Sequence, residues 1–213
     1  MNIVQDKNEQ RSRPATLARR SDLALRLTDL AEAAIAKAGV QDLRARALAD
    51  EAGCSVGAIY TVFPDLDELI LAVNGRTLDA IDAAMTVAAH GAPAPEAQME
   101  RLASTYLDYA THHRGCWNAL FQHRMAGGRA VPDWYAERLA AAFTHIEAPL
   151  HILQPDLDKA ASARLARTVF SAVHGVVALG LGGQATPPEG LHGQLRMVVA
   201  AMARGLDTRR GGS

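Results

Sequence analysis

Aromatic residues make up only 5% of this chain, and cysteine is scarcer still, with Cys54 and Cys116 alone among 213 residues. Two thiols so far apart fit neither a disulfide framework nor a zinc-ligand spacing, so a reducing cytoplasm is the simplest compartment and no structural metal is expected. Net charge is also lacking: 22 Lys and Arg against 23 Asp and Glu leave a formal charge of -1. That excludes a polycation that coats nucleic acid indiscriminately and makes charge placement the informative quantity. No apolar run reads as a transmembrane segment. The first residues, with Asp6, Lys7, Glu9 and Arg11, lack the apolar core of a signal peptide, and a soluble protein is expected. Strand signals are almost absent.

What the chain has in quantity is alanine, leucine and arginine at helical spacing, broken by glycine and proline. The reading is all-α. Residues 1–20 carry Lys7, Arg11, Arg13, Arg19 and Arg20 and, with Pro14, read as a flexible basic arm. Two readings of that arm stay open: a solvated tail, or a segment lying along phosphates or in a minor groove. Leu23, Leu27, Leu30, Ala34 and Ile35 form the stripe of a helix from Ser21 to Gly39. After Pro64, Asp65-Leu-Asp-Glu68 resembles a capping box that opens a connecting helix over 64–90. Gly91-Ala-Pro-Ala-Pro95 marks a boundary, beyond which a second helical domain covers 91–208. Its helices are predicted over 96–112, 115–125, 133–153, 157–181 and 189–206, separated by Gly127-Gly128, Pro132, Pro155, Gly182-Gly183 and Pro187-Pro188.

The most informative stretch is Arg46 to Phe63, in a domain spanning 21–63. Leu48, Ala49 and Ala52 make one helical face, Gly53 suits a turn that needs positive φ, and Ser55 can cap the next helix. Val56, Ile59, Tyr60 and Phe63 give that second helix a buried side. Together they read as a DNA-binding helix-turn-helix. The outward positions Ser55, Gly57, Ala58 and Thr61 are small, so they permit close approach but offer few bidentate contacts to bases. Thymine methyls, hydroxyl bonds and DNA shape would then supply much of the selectivity.

Residues 21 to about 81 resemble the TetR family of one-component transcriptional regulators. The resemblance rests on Ala33, Gly39, Leu48-Ala49, Ala52-Gly53, Ser55, Gly57, Ile59-Tyr60, Phe63 and Leu69. Val169 to Leu179, with His174-Gly175 inside it, looks like a His-Gly segment found in the C-terminal domain of one subgroup. The resemblance implies a recognition helix from Ser55 to Val62, with Val56 among its DNA-facing residues and Tyr60 packing its ring inward while its hydroxyl reaches a phosphate. Three positions depart from the family pattern: Arg44 replaces Ser or Thr, Val62 replaces His and Leu66 replaces Lys. The last removes a phosphate contact and leaves Asp65, Asp67 and Glu68 in its place, for which Arg44 and Arg46 are the candidate compensation.

A symmetric dimer on a palindromic operator is the expected route to specificity. Leu165, Val169, Val173, Val176 and Leu179 form one stripe, eased by Ala172, Gly175 and Ala178, and Leu191, Leu195, Val198, Met202 and Leu206 form another. The resemblance implies a four-helix interface from these; an ordinary internal core is the alternative. Tyr106, Trp117, Phe121, Met125, Trp134, Phe143 and His174 are candidate walls of a pocket for an apolar or aromatic effector, with His112, His123 and His174 as polar anchors. Each of them also serves simply as core. His112, His113 and Cys116 have a spacing that a metal accepts, but they lack the four ligands of a structural site. His174 has no nucleophile or carboxylate partner in the pattern, so neither a cofactor nor an enzyme is expected. The function implied is a ligand-responsive regulator, most simply a repressor. The alternatives are a helical ligand-binding or scaffold protein without operator binding and a small helical enzyme using His174.

Overall fold

The computed structural model describes residues 3–92, 94–183 and 190–207, with side chains between residues 17 and 206. The side chains of Asp6, Lys7, Glu9, Arg11, Arg13 and Pro14, and all of Pro93, Pro187, Pro188, Glu189 and Thr208, lie outside the described residues. Among the described residues the chain forms helices α1 Ile3–Ala38, α2 Ala45–Ala52, α3 Val56–Val62, α4 Leu66–Ala89, α5 Pro95–His112, α6 Arg114–Gln122, α7 Asp133–Leu153, α8 Lys159–Leu181 and α9 Leu191–Asp207. Short 3-10 turns occupy Val40–Asp42 and Ala126–Gly128. The all-helical class is as the sequence implied.

Two compact units emerge: residues 1–76 with 115–130, and residues 77–114 with 131–213. The sequence pattern places its boundaries after residues 20, 63 and 90. The boundary falls inside α4, and α6 is assigned to the first unit although it was read as part of the C-terminal domain.

In the first unit, Leu27, Ala31 and Ile35 recur every fourth residue along α1 and are completely buried. They meet Leu48 and Ala49 of α2, Ile59 of α3 and Leu69 and Val73 of α4 in one core, with Leu23, Leu30, Ala34 and Phe63 packed at its edge. Full burial of each large aliphatic side chain contributes about 1.5–3 kcal/mol, which orients these short helices despite their poor intrinsic stability. α1 is longer than the Ser21 start predicted for it: the stretch read as a flexible arm is helical from Ile3 and runs through Pro14. Glu9, Gln10, Arg11, Ala15, Leu17 and Ala18 are strong helix formers on both sides of that proline.

From Gly115 onwards α6 is stitched to the first unit. At Gly115 a Cβ would lie 2.5 Å from the Ile35 carbonyl oxygen and 2.6 Å from that of Ala36. Only glycine allows α6 to approach the end of α1 so closely. The Cys116 thiol donates to the Glu32 carbonyl at 3.8 Å, and the buried Asn74 amide donates to the Ala119 carbonyl at 3.5 Å. Burial, followed by the nearby Glu32 carboxylate, pushes the Cys116 thiol pKa up, so it stays protonated.

In the second unit α5, α7, α8 and α9 pack on one another through Met99, Leu102, Tyr106, Val169, Val173, Val177, Leu191, Leu195 and Val199. A Cβ on Gly180 would run into the Leu191 side chain, so α8 and α9 meet closely there. Arg114 donates to the Leu181 carbonyl at 2.5 Å and satisfies one of the free carbonyls at the end of α8. By length and composition α8 could cross a membrane, contrary to the reading that no run was long enough. Its Val169, Val173 and Val177 lie instead in the core of this unit, a place equally suited to an apolar helix.

Candidate nucleic-acid interface and effector site

Gly53 ends α2 with φ 64° and ψ 37°, the left-handed conformation that glycine adopts without a Cβ penalty. Its amide bonds the Asp50 carbonyl and that of Cys54 bonds Ala49, closing the turn. The Ser55 hydroxyl then accepts the Ala58 amide at 3.1 Å and caps α3. Turn and cap therefore form from the residues that suggested them.

The two faces of α3 separate cleanly. Ile59 is completely buried, and Val56 and Phe63 are half-buried against the core. Val56 is thus on the packed side, as its spacing implied, although the resemblance also counted it among the DNA-facing residues. Ser55, Gly57, Tyr60 and Thr61 are exposed, and Ala58 is half-buried. Tyr60 retains 47% of its accessible surface, which corrects the expectation that its ring packs inward. The Thr61 hydroxyl donates to the Ala58 carbonyl at 2.7 Å, which holds its rotamer on the exposed side of the helix.

The two arginines before this face behave differently. Arg44 folds back, donating to the Gln41 carbonyl at 2.6 Å and the Leu43 carbonyl at 3.0 Å, with Asp42 4.0 Å away. Arg46 is exposed. Leu66, where the family pattern has lysine, is half-buried against the core.

The acidic residues at the start of α4 are engaged. Asp65 Oδ1 accepts the Glu68 amide at 2.9 Å, an N-terminal cap, and Arg129 bridges Asp65 Oδ2 at 2.6 Å and Asp67 Oδ2 at 3.4 Å. Asp67 Oδ2 also accepts the Ala126 amide at 2.7 Å, and Asp67 Oδ1 lies 3.7 Å from His123 Nε2. Burial pushes the Asp65 carboxyl up, but the Glu68 amide and Arg129 outweigh it and hold the group below the usual carboxylate range. Burial lowers the His123 pKa in spite of Asp67, so the imidazole is neutral at pH 7. Sequence reasoning saw the acids but not Arg129, because no local pattern links residues so distant in the chain.

The effector candidates divide between the units. Trp117, Phe121 and Met125 lie in the first, where Trp117 and Met125 are buried and the Trp117 and Phe121 rings meet edge-on at 5.4 Å. Tyr106, Trp134, Phe143 and His174 lie in the second. There the Tyr106 hydroxyl bonds His174 Nδ1 at 2.9 Å, and Phe170, which the sequence reading passed over, stacks on His174 at 5.5 Å and meets Tyr106 and Phe143 edge-on. Burial lowers the His174 pKa, so this is a neutral polar centre in an aromatic setting. Trp134 stands apart from it, beside Tyr135 and under Arg138.

His112 closes α5 and Cys116 lies within α6, so their spacing is not that of one continuous helix. No group of three or more metal-ligating side chains occurs among the described residues. Of the dimer candidates, Val169 and Leu195 are buried within their own unit and unavailable to a partner, whereas Leu165, Ala172, Val176, Val198 and Met202 are half-buried and Leu179 is exposed.

Residues 27–73 match the model described as bacterial regulatory proteins of the tetR family, and residues 99–203 match the tetracyclin repressor-like C-terminal domain. No curated protein matches the chain significantly. Among solved structures, a Rhodococcus sp. RHA1 protein of unknown function is 26% identical with a TM-score of 0.66, covering 87% of this chain and 94% of its own. A tetR-family transcriptional regulator from Streptomyces coelicolor has 18% identity and a TM-score of 0.64, with 90% and 86% covered. The regulator FadR from Bacillus subtilis, solved in complex with stearoyl-CoA, has 13% identity and a TM-score of 0.64, with 82% and 96% covered. With both of the family's domains matched in order, and with the capped helix-turn-helix inside the first, the chain belongs to the TetR family of DNA-binding transcriptional regulators, not to a class of enzymes.

Proposed function

We propose that the protein is a ligand-responsive repressor that binds a palindromic operator as a homodimer and releases it when a small apolar or aromatic molecule binds the C-terminal unit. The observation that carries this reading is the exposed face of α3, where Gly57, Tyr60 and Thr61 stand clear of the core that fixes Ile59. An α-helix with small outward residues fits a major groove, Tyr60 and Arg46 are placed to meet phosphates, and Thr61 can offer its methyl and oxygen to base edges. Arg44, committed to its own turn, contributes less than Arg46.

Dimerisation uses the outer faces of α8 and α9. Leu179 and Met197 retain 50% and 67% of their surface, and Ala172, Gly175 and Ala201 permit close backbone approach. The effector centre is the cluster of Tyr106, Phe143, Phe170 and His174, aromatic walls around one neutral hydrogen-bonding group. Trp117, Phe121, Met125 and Trp134 are packing residues in this reading. The acyl ligand of the Bacillus protein is in keeping with an apolar effector. Repression is relieved only if the effector binds the DNA-free conformation more tightly than the DNA-bound one, and α4, continuous from one unit into the next, is the element that carries the change.

The test is retention of duplex fragments from upstream of the protein's own gene, with and without candidate effectors. Sequence-selective, salt-dependent retention that an apolar effector abolishes is expected. Retention independent of sequence would favour a scaffold that has lost operator binding.

A further inference from the structure

We propose that Arg129 is a positioning residue for DNA binding, which holds Asp65 and Asp67 in a charge-compensated cluster and so lets the start of α4 approach the phosphate backbone. The inference rests on α3 being the helix that enters the groove. Asp65 lies three positions beyond Val62, the last residue of α3, and three residues of chain span at most about 10–11 Å. That is about one Debye length at 0.1 M salt, so charge on the Asp65 carboxylate is felt by phosphates held against the end of α3.

At this place the chain has Leu66 rather than a cation, and Leu66 is packed against the core. Two carboxylates flank it. Without compensation they would oppose a polyanion just where the family pattern has an attractive lysine. Arg129, 2.6 Å from Asp65 and 3.4 Å from Asp67, offsets one of the negative charges that these two carboxylates add beside Glu68. His123 cannot replace it, since its ring is neutral at pH 7, and the Arg124 guanidinium is turned to the Phe121 and His123 carbonyls. The Ala126 amide, which Asp67 accepts at 2.7 Å, holds the turn preceding Arg129 on the same carboxylate. Arg129 therefore acts through the two aspartates and need not touch DNA itself.

A purely mechanical clamp would use the same bonds, and variants that remove charge while keeping acceptors distinguish the two roles. Asn in place of Asp65 still caps the Glu68 amide, and Asn in place of Asp67 still accepts the Ala126 amide. Binding to random-sequence duplex DNA is measured by fluorescence anisotropy across a salt series, with melting temperature recorded for each variant. Arg129→Gln is expected to bind about three- to tenfold more weakly at low salt, the difference shrinking as salt rises. Asp65→Asn/Asp67→Asn is expected to bind tighter than wild type, and the triple variant to recover at least wild-type affinity. Arg129→Lys, which keeps the charge, should stay within about twofold of wild type. Unchanged binding by Arg129→Gln, or a double aspartate variant that binds more weakly than wild type, would overturn the inference while leaving the regulator reading in place. Wild-type protein that binds no duplex would overturn both.

Discussion

Asp67, in the first turn of α4, accepts the backbone amide of Ala126 at 2.7 Å and so ties the start of that helix to the turn beyond α6. The bond is charge-assisted and its carboxylate is mostly shielded from water, with 17% of the side chain exposed. Asp67→Ala removes the acceptor and leaves the Ala126 amide and Arg129 without it. A loss of about 1.5–3 kcal/mol is expected in urea unfolding followed by far-UV circular dichroism.

Turn and cap support DNA contact through the stability of the first unit. Gly53→Ala forces a Cβ into the left-handed region at φ 64° and should cost about 1–2 kcal/mol, and Ser55→Ala, losing the Ala58 cap, about 1 kcal/mol. Both should lower the melting temperature and weaken DNA binding together. A Gly53→Ala protein as stable as wild type would contradict the turn geometry.

Neighbouring residues on α3 should behave oppositely. Ile59 is completely buried, so Ile59→Ala is expected to cost about 2–5 kcal/mol and to lose DNA binding through unfolding of the first unit. Tyr60 is 47% exposed, so Tyr60→Ala should leave the melting temperature within a few degrees while weakening DNA binding. Thermal denaturation alongside anisotropy separates the two.

The sequence made Gly53, Ser55 and the α7 span Asp133–Leu153 legible because each depends on local chemistry: a left-handed turn, a capping hydroxyl, and Pro132 ahead of a helix. Placement of α6 was not legible, since Gly115 is required by carbonyls at Ile35 and Ala36, far back in the chain. The same distance hid the bridge from Arg129 to Asp65. Periodicity also misplaced Tyr60 on α3, because a helix of seven residues has too few turns for spacing to separate its faces, although the same spacing put Val56 on its packed side. Trp117 illustrates the limit for aromatics: composition marks a large ring, and only packing tells a core residue from a pocket wall.

Acid should destabilise the protein through His123 and His174. Burial lowers both pKa values in the folded state, so the unfolded chain binds protons first. Their contribution is intact above the ordinary histidine value of about 6.5 and is lost as pH falls from there through the folded-state values. The melting temperature should therefore drop on the acid side of neutrality, and His174→Gln should flatten that drop relative to wild type.

Quaternary structure gives an independent check. Leu179→Asp and Met197→Asp place charge on the exposed faces of α8 and α9 without disturbing the core of their own unit. Each is expected to shift sedimentation velocity from dimer to monomer at micromolar concentration while preserving helical content. A wild-type monomer would refute the proposed interface.

The most direct measurement is selection of genomic duplex fragments by the purified protein, repeated with Tyr60→Ala and Thr61→Ala. Wild type should enrich fragments that share an inverted repeat, and the two variants, still folded, should lose or alter that enrichment. Equal retention of native and scrambled DNA by wild type, or the same repeat recovered at the same strength by both variants, would contradict a recognition role for α3.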